Sequence, residues 1–201
     1  MMLRVISGLA LCLTVVACGE RADAPPQAPR FNSIDLAGAP WGRDFRLADQ
    51  NGKQRSIADF RGKVVLLFFG YLNCPDMCPT SVAQIAQIRA RMGVDRERVQ
   101  GLFVTVDPKR DKPAVLAQYL SSFDPTFVGL SGDEASTAAA ASEFKVFFVA
   151  QKPGPQGNYT VDHSGGIYVF DPRGRLRLML RPGDSIDSKA ADVEQLLKEP
   201  A

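Results

Sequence analysis

Six consecutive apolar residues, Val64 to Phe69, run into Gly-Tyr-Leu-Asn-Cys-Pro-Asp-Met-Cys-Pro-Thr and then into an amphipathic stretch ending near Arg91. A strand that is apolar on both faces belongs in the middle of a parallel sheet, covered above and below. In open α/β sheets, ligands collect beyond the carboxyl ends of such strands. Cys74 and Cys78 lie just past that end, so the chain mounts a dithiol where this kind of fold keeps its chemistry.

The rest of the chain alternates in the same manner. Phe45 and Leu47, then Asp49-Gln50-Asn51-Gly52, then Ile57 suggest a hairpin whose Asn-Gly turn supplies a positive φ. Val82, Ile85, Ile88 and Met92 recur at helical spacing, with Pro79 as a first-turn proline. Leu102 to Val106 reads as a strand, Pro113 to Leu120 as a helix, Phe127 to Leu130 as a short strand and Asp133 to Phe144 as an Ala-rich helix. Val146 to Val149 is apolar and β-branched, and Gln151 to Asn158 reads as a loop or hairpin tip rich in proline and glycine. Gly166 to Phe170 and Arg175 to Leu180 flank Asp171-Pro172-Arg173-Gly174 as an antiparallel hairpin, and Ile186 to Leu197 closes the chain as a helix. This order predicts an α/β, thioredoxin-like sandwich: a central mixed sheet with flanking helices and an added N-terminal hairpin.

The N-terminus is organised differently. Met1 to Arg4 is short and basic, and Val5 to Ala17 is apolar apart from small polar residues, which reads as a signal peptide over 1–17 too short to span a bilayer comfortably. Val15-Val16-Ala17-Cys18-Gly19 resembles the lipobox of bacterial lipoproteins, which implies cleavage before Cys18 and a diacylglycerol on its sulfur. Ala-Asp-Ala-Pro-Pro-Gln-Ala-Pro follows, so 18–40 reads as a lipid-anchored flexible tether and 41–201 as the folded domain, beginning near Trp41. The domain is thereby expected outside the cytoplasm, facing the periplasm or another extracytoplasmic space, with the membrane reached through lipid. A net charge of +2 with no block of like charges gives no reason to expect nucleic acid as a partner.

Of the four cysteines, Cys12 goes with the signal and Cys18 with lipid, leaving Cys74 and Cys78 in the domain. One close pair is not a disulfide scaffold, so the pair is reactive, metal-binding or a single small-loop disulfide. Each cysteine precedes a proline, which biases its backbone away from the helical region and places the pair on a turn. With Pro79 opening the helix, Cys78 falls near the N-cap, where free N–H groups and the helix dipole favour a low-pKa thiolate. Thiolates are soft ligands for Cu(I) or zinc, and imidazole suits copper or zinc as a third ligand. The single histidine, His163, sits in Asp162-His163-Ser164-Gly165-Gly166, which reads as a polar, flexible turn. A structural zinc site takes four protein ligands, so a three-donor set fits low-coordinate copper better.

The neighbours have two readings each. Met77 lends a thioether or simply packs. Asp76 tunes the thiolates or is a surface carboxylate, Asp162 orients the imidazole or caps the turn, and Tyr71 and Tyr159 wall the site or fill the core.

Cys-Pro-Asp-Met-Cys-Pro-Thr after a strand ending Phe-Gly-Tyr, with Val-Asp-His-Ser far downstream, resembles the Sco/SenC family of copper proteins. Val104 to Asp111, Phe123-Asp124-Pro125, Gly129 to Gly132 and Tyr168 to Gly174 resemble that family's other signature segments. The resemblance implies a thioredoxin-like fold that binds one copper ion per chain, as Cu(I) or Cu(II), through Cys74, Cys78 and His163. It further implies a metallochaperone or thiol reductant acting on the CuA centre of cytochrome c oxidase subunit II, with other periplasmic copper chaperones or thiol reductants as further partners. Many members carry a transmembrane helix where this chain has its lipobox-like cysteine. The competing reading is a membrane-anchored thiol-disulfide oxidoreductase or peroxiredoxin-like enzyme that needs no metal. Against it stand the three-residue spacing of the cysteines, the lack of a proline immediately before the Gly166 strand, and His163 in that neighbourhood. A Cys74–Cys78 disulfide would remove both thiolates, so oxidation would switch off metal binding.

Overall fold

A computed structural model describes residues 30–155 and 157–199. The expected signal peptide, the lipid site at Cys18 and the tether up to residue 29 lie outside the described residues.

The apolar run becomes β4 (Val64–Gly70), buried along its whole length beside the equally buried, parallel β5 (Val99–Thr105). Around this pair the sheet assembles in the order β1 (Ile34–Asp35), β10 (Leu176–Leu180), β9 (Ile167–Phe170), β4, β5, β6 (Val128–Ser131), β2 (Leu47–Asp49), β3 (Gln54–Arg55). β6 is parallel to β5, whereas β9, β10, β1, β2 and β3 pair antiparallel, so the sheet is mixed as expected. The helices are α1 (Met77–Arg91), α2 (Pro113–Ser121), α3 (Glu134–Glu143) and α4 (Ile186–Lys198). α1 packs on β4, β5 and α4, and α2 packs on β6. No helix among the described residues is long and apolar enough to cross a membrane.

Strand alternation sets the two faces of β4. The Phe68 ring meets Phe103 of β5, while Phe69 turns the other way onto Phe144 and Tyr168. Turn chemistry follows the sequence closely. Gly52 adopts φ +79° between β2 and β3, and Gly174 adopts φ +78° between β9 and β10. In the same two turns Asp49 and Asp171 accept backbone N–H bonds from residues two and four further on.

Two expectations need correction. The folded unit begins at Phe31, not near Trp41. Ile34 and Asp35 pair with Met179 and Leu178 as β1, and the buried Asp192 carboxylate of α4 accepts from Asn32 N (2.9 Å), Asn32 Nδ2 (2.9 Å) and Ser33 N (2.9 Å). The proline-rich composition upstream hides this, because the contacts that fix residues 31–36 come from the far end of the chain. The second correction concerns His163. It is not in a loop but ends a strand, β8 (Val161–His163), which pairs antiparallel with β7 (Phe148–Ala150) in a separate two-stranded sheet that sets Phe148 opposite His163.

Removing residues 1–40 therefore deletes β1 and leaves the Asp192 carboxylate buried without its partners. A chain starting at Trp41 is expected to be less stable than one starting at Arg30 by on the order of 2–4 kcal/mol, read from urea unfolding midpoints. Equal midpoints would return residues 31–40 to the tether.

Candidate metal centre

The site is built where β4 ends. Gly70 is its last residue, and a Cβ there would lie 2.9 Å from Cys78 Sγ, 2.8 Å from the Phe68 ring and 3.1 Å from the Phe103 ring. Only glycine lets the sulfur approach the strand this closely. Leu72 N–H donates to the buried Asp111 carboxylate at 3.1 Å, and Asp111 also accepts from Thr105 Oγ1 at 2.6 Å, which ties the loop before Cys74 to the end of β5. Asp76 is the exposed N-cap of α1 and makes no side-chain cap bond.

Cys78 thus lies inside the first helical turn, not on a turn before it, and Pro79 follows it without breaking the helix. The first N–H groups of a helix have no intrahelical acceptor, so a proline there forfeits no bond. Cys78 N–H instead points at Cys74 Sγ, 3.4 Å away. Both cysteines are free thiols, Cys78 fully buried and Cys74 partly exposed.

β8 brings the third group. Cys78 Sγ stands 3.2 Å from His163 Nε2, and His163 Nδ1 lies 2.9 Å from the Ser164 carbonyl oxygen. A carbonyl only accepts, so Nδ1 carries the proton and Nε2 presents its lone pair to the sulfurs. The ring is held edge-on by Phe68 (centroids 5.9 Å apart) and Tyr71 (5.8 Å). The ligand atoms of Cys74, Cys78 and His163 all lie within 4.8 Å of one another. Two sulfurs and one fixed imidazole nitrogen form a soft donor set that suits copper.

The electrostatics differ from the expectation of a low-pKa thiolate. Burial pushes the Cys78 thiol well above its ordinary value of 9.0; the Tyr71 N–H aimed at the sulfur opposes this, while Cys74 and the Asp111 carboxylate add to it. The helix N-terminus is present but does not prevail. Burial lowers the His163 imidazole below 6.5, against the opposing pull of the Ser164 carbonyl and Asp162, so the ring is neutral at neutral pH. Without metal the Cys78 thiol keeps its proton and donates it toward Nε2.

The remaining sequence candidates separate. Met77 lies along Gly165, where a Cβ would meet its Sδ at 2.3 Å, and so it packs against the turn after β8. Asp162 faces the side of β8 opposite His163 and accepts from Gln151 Nε2 at 2.7 Å; it neither orients the imidazole nor caps the turn. Tyr71 walls the site, whereas Tyr159 stacks on Arg110. Sequence reasoning missed Phe68, Gly70, Asp111 and the Ser164 carbonyl. Of these only Gly70 left a signal, a glycine ending an otherwise bulky strand.

Because Cys74 reaches solvent and Cys78 does not, a thiol-alkylating reagent should modify Cys74 first. The Cys78 rate should still be climbing with pH above 9.0, since burial holds its proton. Mass spectrometry on the Cys74→Ser and Cys78→Ser variants checks this, and equal rates in the two would contradict the burial asymmetry.

Sequence and structure comparisons agree with this geometry. The SCO1/SenC family profile matches residues 35–198. An SCO2-like protein of Rickettsia felis is 38% identical over 176 residues, covering 86% of this chain and 84% of that protein. Among solved structures, copper-bound ScoI of Bradyrhizobium japonicum superimposes with a TM-score of 0.70 at 42% identity, over 77% of this chain and 98% of that one. Copper-bound Sco1 of yeast does so with a TM-score of 0.71 at 31% identity, over 79% of this chain and 88% of that one. With the mixed sheet, the dithiol at the end of β4 and the histidine on β8 in place, this chain belongs to the SCO1/SenC family.

Proposed function

We propose that this protein is a copper-binding metallochaperone or thiol reductant in the assembly of the CuA centre of cytochrome c oxidase, and that Cys74, Cys78 and His163 hold one copper ion per chain. The observation that carries this reading is the convergence of two thiol sulfurs and a tautomerically fixed imidazole nitrogen within 4.8 Å. Copper-bound structures of related proteins from Bradyrhizobium japonicum and yeast support it. When bound, copper supplies a soft cation that takes both sulfurs as thiolates in place of their protons. The chain's own groups do the rest: the Ser164 carbonyl keeps the proton on Nδ1, Tyr71 N–H favours the Cys78 thiolate, and Phe68 and Tyr71 hold the imidazole by edge contacts.

The client is subunit II of the oxidase, with other periplasmic copper chaperones or thiol reductants upstream. Signal cleavage after residue 17 and lipid at Cys18 would hold the domain at an extracytoplasmic membrane surface, in line with the lipobox-like Val15 to Gly19. Oxidation of Cys74 and Cys78 to a disulfide removes two electrons and two protons and abolishes the site. A metal-free thiol-disulfide oxidoreductase is the second reading, favoured by two free thiols so close that the backbone N–H of Cys78 reaches the sulfur of Cys74.

Reduced protein is expected to bind about one copper and pass it to an apo CuA domain, followed by the purple absorbance of the assembled centre. His163→Ala should loosen copper by at least the roughly 10- to 100-fold that losing a ligand's supporting partner costs, while leaving the dithiol competent. Turnover of a disulfide substrate by metal-free protein, unaffected by His163→Ala and without copper transfer, would favour the oxidoreductase. The sign of the pH dependence follows from the raised Cys78 pKa. Its proton is bound in the metal-free protein across neutral pH and released on copper uptake, so apparent affinity rises between about pH 6 and 8. Isothermal titration in buffers of different ionisation enthalpy counts the released protons, and a count of zero would refute the assignment of Cys78.

A further inference from the structure

Arg110 lies in the turn after β5, and its hydrogen bonds leave that turn. Nε donates to Asp107 Oδ2 three residues back, which by itself would only close the loop. Nη1, however, donates to the Tyr159 carbonyl at 2.8 Å, across 49 residues of chain. Tyr159 Oη returns the contact by donating to Asp107 Oδ1 at 2.9 Å. The guanidinium carbon lies over the Tyr159 ring, 3.5 Å from its centroid, and 5.8 Å from the centroid of Tyr71. Its remaining nitrogen, Nη2, is enclosed without a hydrogen-bond partner, so stacking and these bonds alone fix the group.

Tyr159 stands two residues before β8, the strand that ends in His163. Among the described residues β8 pairs only with the three-residue β7, outside the main sheet, and a two-stranded ribbon of that length has little stability of its own. Something must hold it against the end of β4. Tyr71 grips one point, since its ring abuts the imidazole edge-on. Arg110 grips the preceding residues by carbonyl and ring together, and Asp107 fixes the tyrosine from its far end.

We infer that Arg110 is a positioning residue for the metal centre: with Asp107 it clamps Tyr159, and through Tyr159 and Tyr71 it holds β8 at the register that aims His163 Nε2 at the two sulfurs. The clamp reaches the histidine through β8, whereas Cys78 is placed by α1 against the end of β4. Lysine cannot substitute, because the task needs a planar cation that stacks and donates in two directions.

The inference rests on the three-ligand copper reading, and a double-mutant cycle separates the two. Copper affinity is measured by competition with a chromogenic chelator for Arg110→Gln, His163→Ala and the double variant, alongside electron paramagnetic resonance of the Cu(II) forms. The expected result is a roughly 10- to 100-fold loss in Arg110→Gln, with no further loss when it is added to His163→Ala. The Cu(II) spectrum of Arg110→Gln should shift toward that of His163→Ala. Multiplying losses in the double variant, or unchanged affinity in Arg110→Gln, would overturn the clamp. If Arg110→Gln does not fold, Tyr159→Phe removes only the bond to Asp107 and keeps the stack. A several-fold loss confined to the His163-containing background is then expected, and an equal loss in both backgrounds overturns the clamp. Full copper affinity in His163→Ala sinks the three-ligand reading itself, whereas a weakened His163→Ala beside an unchanged Arg110→Gln sinks only the clamp.

Discussion

Cys78 Sγ and His163 Nε2 approach to 3.2 Å across 85 residues of chain, and in doing so they join two parts of the fold that share no local pairing. One partner belongs to the β4–α1 unit at the centre of the main sheet. The other belongs to a two-stranded ribbon outside it. Neither alone makes a metal site: a dithiol at a helix start is a redox motif, and a neutral imidazole on a short strand is an ordinary half-buried side chain. The contact exists because Gly70 leaves room for the sulfur while Phe68 and Tyr71 hold the ring beside it.

The same burial decides the protonation of the metal-free state. A helix N-terminus stabilises a nearby anion by roughly 0.3–1 kcal/mol, up to about 2 in favourable settings. Taking an unpaired charge out of water costs several kcal/mol. For a sulfur with no solvent exposure the second effect wins, which is why Cys78 stays a thiol despite its place in the first turn of α1. A cation held by Cys74, Cys78 and His163, as proposed, would reverse the balance by stabilising the thiolates that burial disfavours. Without metal, Cys78 is therefore a buried, protonated thiol beside a neutral imidazole.

Much of this was legible in the sequence, and what was not has a common cause. β4 and α1 could be read because a continuous apolar run and a 3.6-residue period are local signals. The turns at Gly52 and Gly174 could be read because Asn-Gly and Asp-Pro-Arg-Gly carry their own backbone preferences. The start of the domain could not, since Asn32 and Ser33 are held by Asp192 some 160 residues away. β8 is three residues with a single apolar side chain and no period to detect; its pairing with Phe148 to Ala150 makes it a strand. The candidate ligands were named through a resemblance to a known family, but the proton on Cys78 was not legible. It depends on how Phe68, Gly70 and Phe103 pack around one sulfur.

The three donors differ in how firmly they are held, and this gives the site a direction. Cys78 is enclosed in α1 against β4 and cannot leave without opening the core. His163 is fixed by its Nδ1 bond and two aromatic edges, at the end of a strand tied to the turn after β5. Cys74 sits in the loop between β4 and α1, partly exposed, and its own backbone N–H reaches only a long 3.4 Å contact to Tyr71 O. Of the two cysteines, Cys74 is the one that solvent reaches. Were copper held as proposed, an acceptor would meet Cys74 before Cys78, because Cys74 is partly exposed and Cys78 is not.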